Sequence, residues 1–178
     1  MTPPAYRPGS DMPRFIRELM EFVNLGDADL AAIRRTAPLV LRHEPALTAA
    51  VYEHLLEFPG TARFFLRADG TPDLERLERR KHSLGRWLRE TADLALSHGF
   101  AYYLLSVALA HSHRDARQGG GIPPHFMVGA ISVVQTALAG IFRTEIEDPH
   151  AALDAAMAWN KLLLVQLNVL LLGHLREA

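Results

Sequence analysis

Apolar side chains recur every three to four residues along most of this chain and nowhere alternate strictly with polar ones, so the pattern predicts helices and no sheet. The helices fall near residues 12–24, 28–43, 45–57, 72–96, 100–117, 124–145 and 149–176, with a short turn around Thr61 to Phe65. Pro45, Pro72, Pro124 and Pro149 are each placed in the first turn of a helix, where a missing amide hydrogen costs nothing, and Thr71 and Asp148 are the expected N-caps for two of them. Gly26, Gly99 and the run Gly119, Gly120, Gly121 are expected to end helices. Ala, Leu, Arg and Glu fill the segments between, so local propensity agrees with periodicity.

A chain of 178 residues, 49% of them hydrophobic, suits one domain with a full core, here expected at residues 12–178 behind a flexible arm of residues 1–11. Nineteen lysines and arginines against 20 carboxylates leave no basic field for nucleic acid, and none is expected as a partner. The absence of cysteine excludes disulfides, thiolate metal sites and cysteine nucleophiles. The start, MTPPAYRPGSDMPRF, has no apolar run of signal-peptide length, and a cytoplasmic protein is expected. The most apolar stretch, Leu162 to Leu172, holds Gln166 and Asn168 and is bordered by Lys161 and His174; it reads as a buried helix, because a membrane span needs about 20 apolar residues. Walker-type loops, dinucleotide fingerprints and Gly-x-Ser-x-Gly elbows are missing, and no pair of carboxylates stands out from the solvated faces.

The segment most suggestive of chemistry is LLSVALAHSHRDARQGGGIPPHFMVGAI, residues 104 to 131. His111 and His113 lie two residues apart, which places them about 200° apart around a helix, so one ion cannot easily use both. His111 continues the stripe of Leu104, Val107 and Ala108, whereas His113 shares its face with Ser106, Leu109 and Ala110, so the core side belongs to His111. From this helix alone, a hydrogen-bonded core histidine is the commoner use of such a residue.

The wider sequence resembles the protoglobins and the related sensor globins from about Met12 to Leu175. The resemblance rests on VYEHLLEFPGTARFFLRADGTPDLERL, on KHSLGRWLRET, on AYYLLSVALAHSHR, and on Ala158, Trp159, Asn160 and Lys161 in the last helix. It implies an all-α, globin-like helical sandwich with an N-terminal extension, holding haem b (iron protoporphyrin IX) without covalent attachment. Carried onto this chain, the iron ligand is His111, the distal tyrosine Tyr52 and the distal hydrophobic residue Leu84. Two positions depart from the family pattern: Val51 stands where a bulky aromatic usually precedes the tyrosine, and Leu84 where phenylalanine is common, which implies a more open pocket. RDARQGGGIPP replaces the family's lysine-rich stretch, so propionate contacts do not carry over; Arg114, Arg117 and Lys81 have the right charge, but solvated surface charge is the preferred reading for each.

Tyr52 shares a helical face with Thr48, Ala49, Leu55 and Leu56, so its ring should enter the core, where its hydroxyl needs a partner: a bound gas, or a backbone carbonyl if the residue only packs. Phe64, Phe65, Leu84, Trp87, Val107, Phe126 and Met127 are the candidates to line the porphyrin, each of them serviceable as ordinary core. The pocket is expected between the 72–96 and 100–117 helices. The preferred function is reversible binding of dioxygen, carbon monoxide or nitric oxide for gas sensing; the alternatives are a haem enzyme, peroxidase-like or nitric-oxide-consuming, and a haem-free interaction module. The last helix, apolar around most of its circumference, predicts a homodimer through the last two helices.

Overall fold

In the computed structural model, residues 8–67, 69–93, 98–113 and 120–175 are described, and among them every regular element is a helix. They form α1 (Met12–Phe22), α2 (Asp27–Glu57), α3 (Pro59–Ala62), α4 (Leu74–Ala92), α5 (His98–Ser112), α6 (Pro124–Glu145) and α7 (Pro149–Leu172), with 3-10 turns at Pro8–Ser10 and Arg63–Phe65. This is the all-α sandwich expected. Most of the N-terminal arm, residues 1–7, lies outside the described residues; Asp11, at its end, caps α1 by accepting from the Arg14 amide at 3.1 Å.

The most apolar helix organises the fold. Helix α7 packs on α6, α2, α5 and α1, and buries Trp159, Leu162, Leu163, Val165 and Val169 against them. By length and composition alone, α6 and α7 are each long and apolar enough to cross a membrane; here α7 serves as a core helix, with more than half of its most apolar window buried. Trp159 donates its indole N–H to Thr36 Oγ1 at 2.8 Å, and Lys161 Nζ reaches Asp29 Oδ2 at 2.9 Å and the Asn24 carbonyl at 2.9 Å. The Ala-Trp-x-Lys pattern is therefore a fastening of α7 to the beginning of α2. The chain enters α2 through Asn24 in a left-handed conformation (φ 51°) and Gly26, whose amide donates to the Asp29 carboxylate at 3.0 Å.

Four expectations about helix ends change. The predicted 28–43 and 45–57 helices are one helix, with Pro38 and Pro45 inside it. Both prolines are exposed, so the carbonyls they leave without an amide partner can be hydrated, while the inner face runs on through Ile33, Ala37, Val40, Leu47 and Val51. Packing along that face offsets a proline cost of roughly 3 kcal/mol each. Pro72 and Thr71 stand outside α4 as well: Pro72 pairs with Leu66 in an isolated bridge, and Asp73 is the cap, accepting from the Arg76 amide at 3.0 Å. Gly26 and Gly99 open helices instead of closing them, as the N-cap of α2 and in the first turn of α5. Finally, α1, α4, α5 and α7 end at Phe22, Ala92, Ser112 and Leu172, short of the predicted 24, 96, 117 and 176; residues 94–97, 114–119, which include Gly119, and 176–178 lie outside the described residues.

Candidate functional site

A cavity of about 330 Å³ opens among α2, the 63–65 turn, α4, α5 and α6, with Leu170 of α7 closing one side. That volume is within the roughly 300–1,000 Å³ common for cofactor sites. The pocket thus has more walls than the two helices expected. All ten residues singled out in the sequence border it: Val51 and Tyr52 from α2, Phe64 and Phe65 from the turn, Leu84 and Trp87 from α4, Val107 and His111 from α5, Phe126 and Met127 from α6. On α4 and α5 helical register accounts for the pairs, since Leu84 and Trp87 lie three apart and Val107 and His111 four apart. The aromatic rings brace one another edge-on, Tyr52 against Phe65 at 5.6 Å between centroids and Phe64 against Phe126 at 6.5 Å.

Among the described residues, His111 is the one imidazole on the lining. Its Nδ1 lies 2.7 Å from the Val107 carbonyl oxygen one turn earlier, which favours the tautomer with the proton on Nδ1 and the lone pair on Nε2. Metal-bound histidines are commonly oriented in this way. His113, by contrast, is exposed just beyond α5, with Nδ1 2.8 Å from Ser112 Oγ.

Two close backbone approaches hold the end of α5. Gly120 turns the chain back with φ 73°, and a Cβ on Gly121 would stand 2.6 Å from the Ser112 carbonyl oxygen. The Ile122 amide donates to the His111 carbonyl at 2.8 Å. From the other side, a Cβ on Gly173 would stand 2.6 Å from the Ala108 carbonyl oxygen. Gly121, expected only to stop a helix, thus also clamps the turn that carries His111, together with Gly173.

The Tyr52 wall is polar in two places. Tyr52 is buried, its hydroxyl accepts and donates no hydrogen bond among the described residues, and burial pushes its pKa well above the usual tyrosine value, opposed in part by the positive charge of Arg80. The Trp87 indole N–H is also buried without a partner among the described residues. Groups like these ask for a partner that the protein itself does not supply.

Sequence reasoning missed Arg80 and Tyr103, both on the lining. The signal was present, because Arg80 is four residues before Leu84 and seven before Trp87, on the same stripe, and Tyr103 is four before Val107. Tyr103 stacks on Phe100 at 6.0 Å and carries the Arg86 guanidinium over its ring at 4.9 Å. Of the basic residues considered for propionates, Lys81 pairs with Glu78 at 3.0 Å, and Arg114 and Arg117 lie outside the described residues. The donor set, one oriented imidazole, one buried hydroxyl and an apolar aromatic lining, fits a flat apolar group that carries a metal at its centre.

Comparison with known proteins bears on the same region. The family model described as Protoglobin matches residues 13–178. Among solved structures, the globin domain of a Geobacter sulfurreducens globin-coupled sensor superposes with a TM-score of 0.72 at 21% identity, covering 90% of this chain and 97% of that one. The globin domain of the E. coli DosC is similar in its ferric form (TM-score 0.66, 14% identity) and its ferrous form (0.67, 15%), each covering 88% of this chain and 97% of the other. No curated protein matches the sequence.

Proposed function

The chain belongs to the protoglobin family, and from that premise we propose that it holds haem b in the cavity, with His111 as the iron ligand, and binds a diatomic gas there reversibly for sensing in the cytoplasm. The observation that carries the reading is the join of His111 to the cavity, with Nδ1 against the Val107 carbonyl, an orientation that makes Nε2 the coordinating atom. When bound, the haem supplies an iron site with a position for a gas. The chain's own residues do the rest. Leu84, Val107, Phe126 and Met127 exclude water from the porphyrin faces, and the Tyr52 hydroxyl donates a hydrogen bond to the more polar ligands.

Purified protein should show the Soret band of b-type haem, shifting when dithionite and then carbon monoxide are added. A colourless protein that takes up no added hemin sinks the proposal.

The same premise extends to assembly as a symmetric homodimer through α6 and α7. Most of the apolar residues of α7 are already covered within the chain, but Leu153, Met157 and Leu164 remain 57%, 48% and 37% exposed, with Val128 of α6 at 47%. A monomeric mass by light scattering at micromolar concentration counts against the dimer.

A further inference from the structure

We propose that Arg80 and Tyr52 together form a small-anion site inside the cavity, so that the haem-loaded protein takes ligands such as fluoride and azide on the Tyr52 wall. The inference rests on the haem reading above and specifies the ligand chemistry of that same site. It starts from how α4 spends its basic residues. Arg76 pairs with Asp73, Arg79 with Glu75, Lys81 with Glu78, Arg86 with Glu90 and Arg89 with Glu44, each within 3.2 Å. Arg80 alone among the arginines and lysines of α4 has no carboxylate partner among the described residues, and it is half-buried on the cavity lining.

A guanidinium taken partly out of water without a counter-charge is costly, and the cost falls when an anion enters. Among the described residues, the rest of the lining supplies no anion: apart from Arg80 and His111 its residues are uncharged, and the polar groups nearest in kind are the hydroxyls of Tyr52, Tyr103, Thr61 and Ser83. Arg80 shares the cavity lining with Tyr52, and its positive charge acts on the Tyr52 hydroxyl, for which no hydrogen bond is seen among the described residues. One charged and one neutral donor on the lining of one apolar space match a compact anion that can accept from both. Neutral carbon monoxide offers little to either, so the pair should separate ligands by charge more than by size.

The same guanidinium could instead serve a carboxylate of the haem edge, and the experiment separates these sources. Fluoride and azide are titrated into ferric protein, and carbon monoxide into ferrous protein, by absorption, for wild type, Arg80→Leu and Arg80→Lys, with haem content and helical circular dichroism measured in each. The expected result is a fall of about tenfold or more in the ratio of fluoride to carbon monoxide affinity for Arg80→Leu, with most of the ratio restored in Arg80→Lys and haem content maintained. An unchanged ratio in folded, haem-loaded Arg80→Leu overturns the proposal. So does a drop in haem retention with the ratio intact, which assigns Arg80 to the haem edge. A wild-type protein that takes up no haem overturns the parent reading and is told apart by the missing Soret band.

Discussion

Helices α4 and α5 both line the cavity, yet they are held in opposite ways. Helix α4 is fastened by polar side chains: an Asp73 cap, the Arg89–Glu44 ion pair to α2 at 2.7 Å, and a Thr91 hydroxyl that donates to Gln166 of α7 at 3.2 Å. Helix α5 takes part in no salt bridge among the described residues; apolar packing and the close approaches at Gly121 and Gly173 keep it in place. Polar fastenings can stretch, rotate or exchange with water at small cost. A backbone contact with no room for a methyl group cannot. The wall with the oriented imidazole is thus the one whose position is set by excluded volume, and the α4 wall, which carries Arg80, Leu84 and Trp87, is the one held by contacts that can adjust.

The largest expected effect tests the α5 side directly. His111→Ala should strip the purified protein of most of its haem, read from the Soret absorbance against protein concentration, while His113→Ala retains it. The reversed result moves the ligand to the neighbouring residue. On α2, Tyr52→Phe deletes a hydroxyl and keeps the ring that packs on Phe65. A lost hydrogen bond of roughly 1–3 kcal/mol should speed dioxygen dissociation about ten-fold to a hundred-fold in stopped-flow, with a much smaller change for carbon monoxide. Equal dioxygen rates leave Tyr52 a packing residue.

The two modes of fastening should then separate in stability. Gly173→Ala and Gly121→Ala force a methyl group against backbone carbonyls and should each cost about 1–3 kcal/mol in denaturant unfolding. At Gly85 the nearest atoms belong to the Glu44 carboxylate, the far end of a flexible chain, so Gly85→Ala should cost less, at the loss of the Glu44–Arg89 pair. Arg89→Ala, which breaks that surface pair outright, should cost at most about 1 kcal/mol. A larger loss at Arg89 than at Gly173 reverses the comparison.

The smallest effect concerns pH at the α5–α7 seam. His174 is half-buried with Nε2 lacking a partner among the described residues, and burial first, then the charge of His113, lower its pKa below the usual histidine value. The unfolded chain therefore binds a proton more readily than the folded one, and stability falls as pH drops through the unfolded value near 6.5. His174→Gln should flatten the dependence of thermal midpoint on pH between about 7 and 5. An unchanged slope assigns that dependence to other groups.

Sequence pattern reached the parts of the molecule that depend on short-range register. The α6 boundaries, the Asp148 cap of α7 and the stripes that carry Leu84 with Trp87 and Val107 with His111 follow from local signals and spacings of three and four, whereas the choice of ten residues for one cavity came from the family resemblance. Their roles toward a haem were implied by family resemblance and stand as proposals. Two kinds of feature were hidden. The continuity of α2 through Pro38 and Pro45 depends on burial of the opposite face, which no local window registers. The glycine approaches depend on tertiary packing, so Gly121 read only as a helix stop and Gly173 drew no reading at all. Arg80 was overlooked for a different reason: a basic residue in a run of charge looks solvated until its partners are counted.

The placement of the tryptophans gives the molecule two optical reporters. The chain has two, Trp87 on the cavity lining and Trp159 in the core, bonded to Thr36 at 2.8 Å. In the haem-free protein, emission from Trp87 samples the polarity of the cavity and emission from Trp159 samples the junction of α2 with α7, and uptake of haem quenches both. Single Trp→Phe variants isolate each signal, so loosening of the cavity and loss of the whole fold can be followed at separate residues without adding a dye.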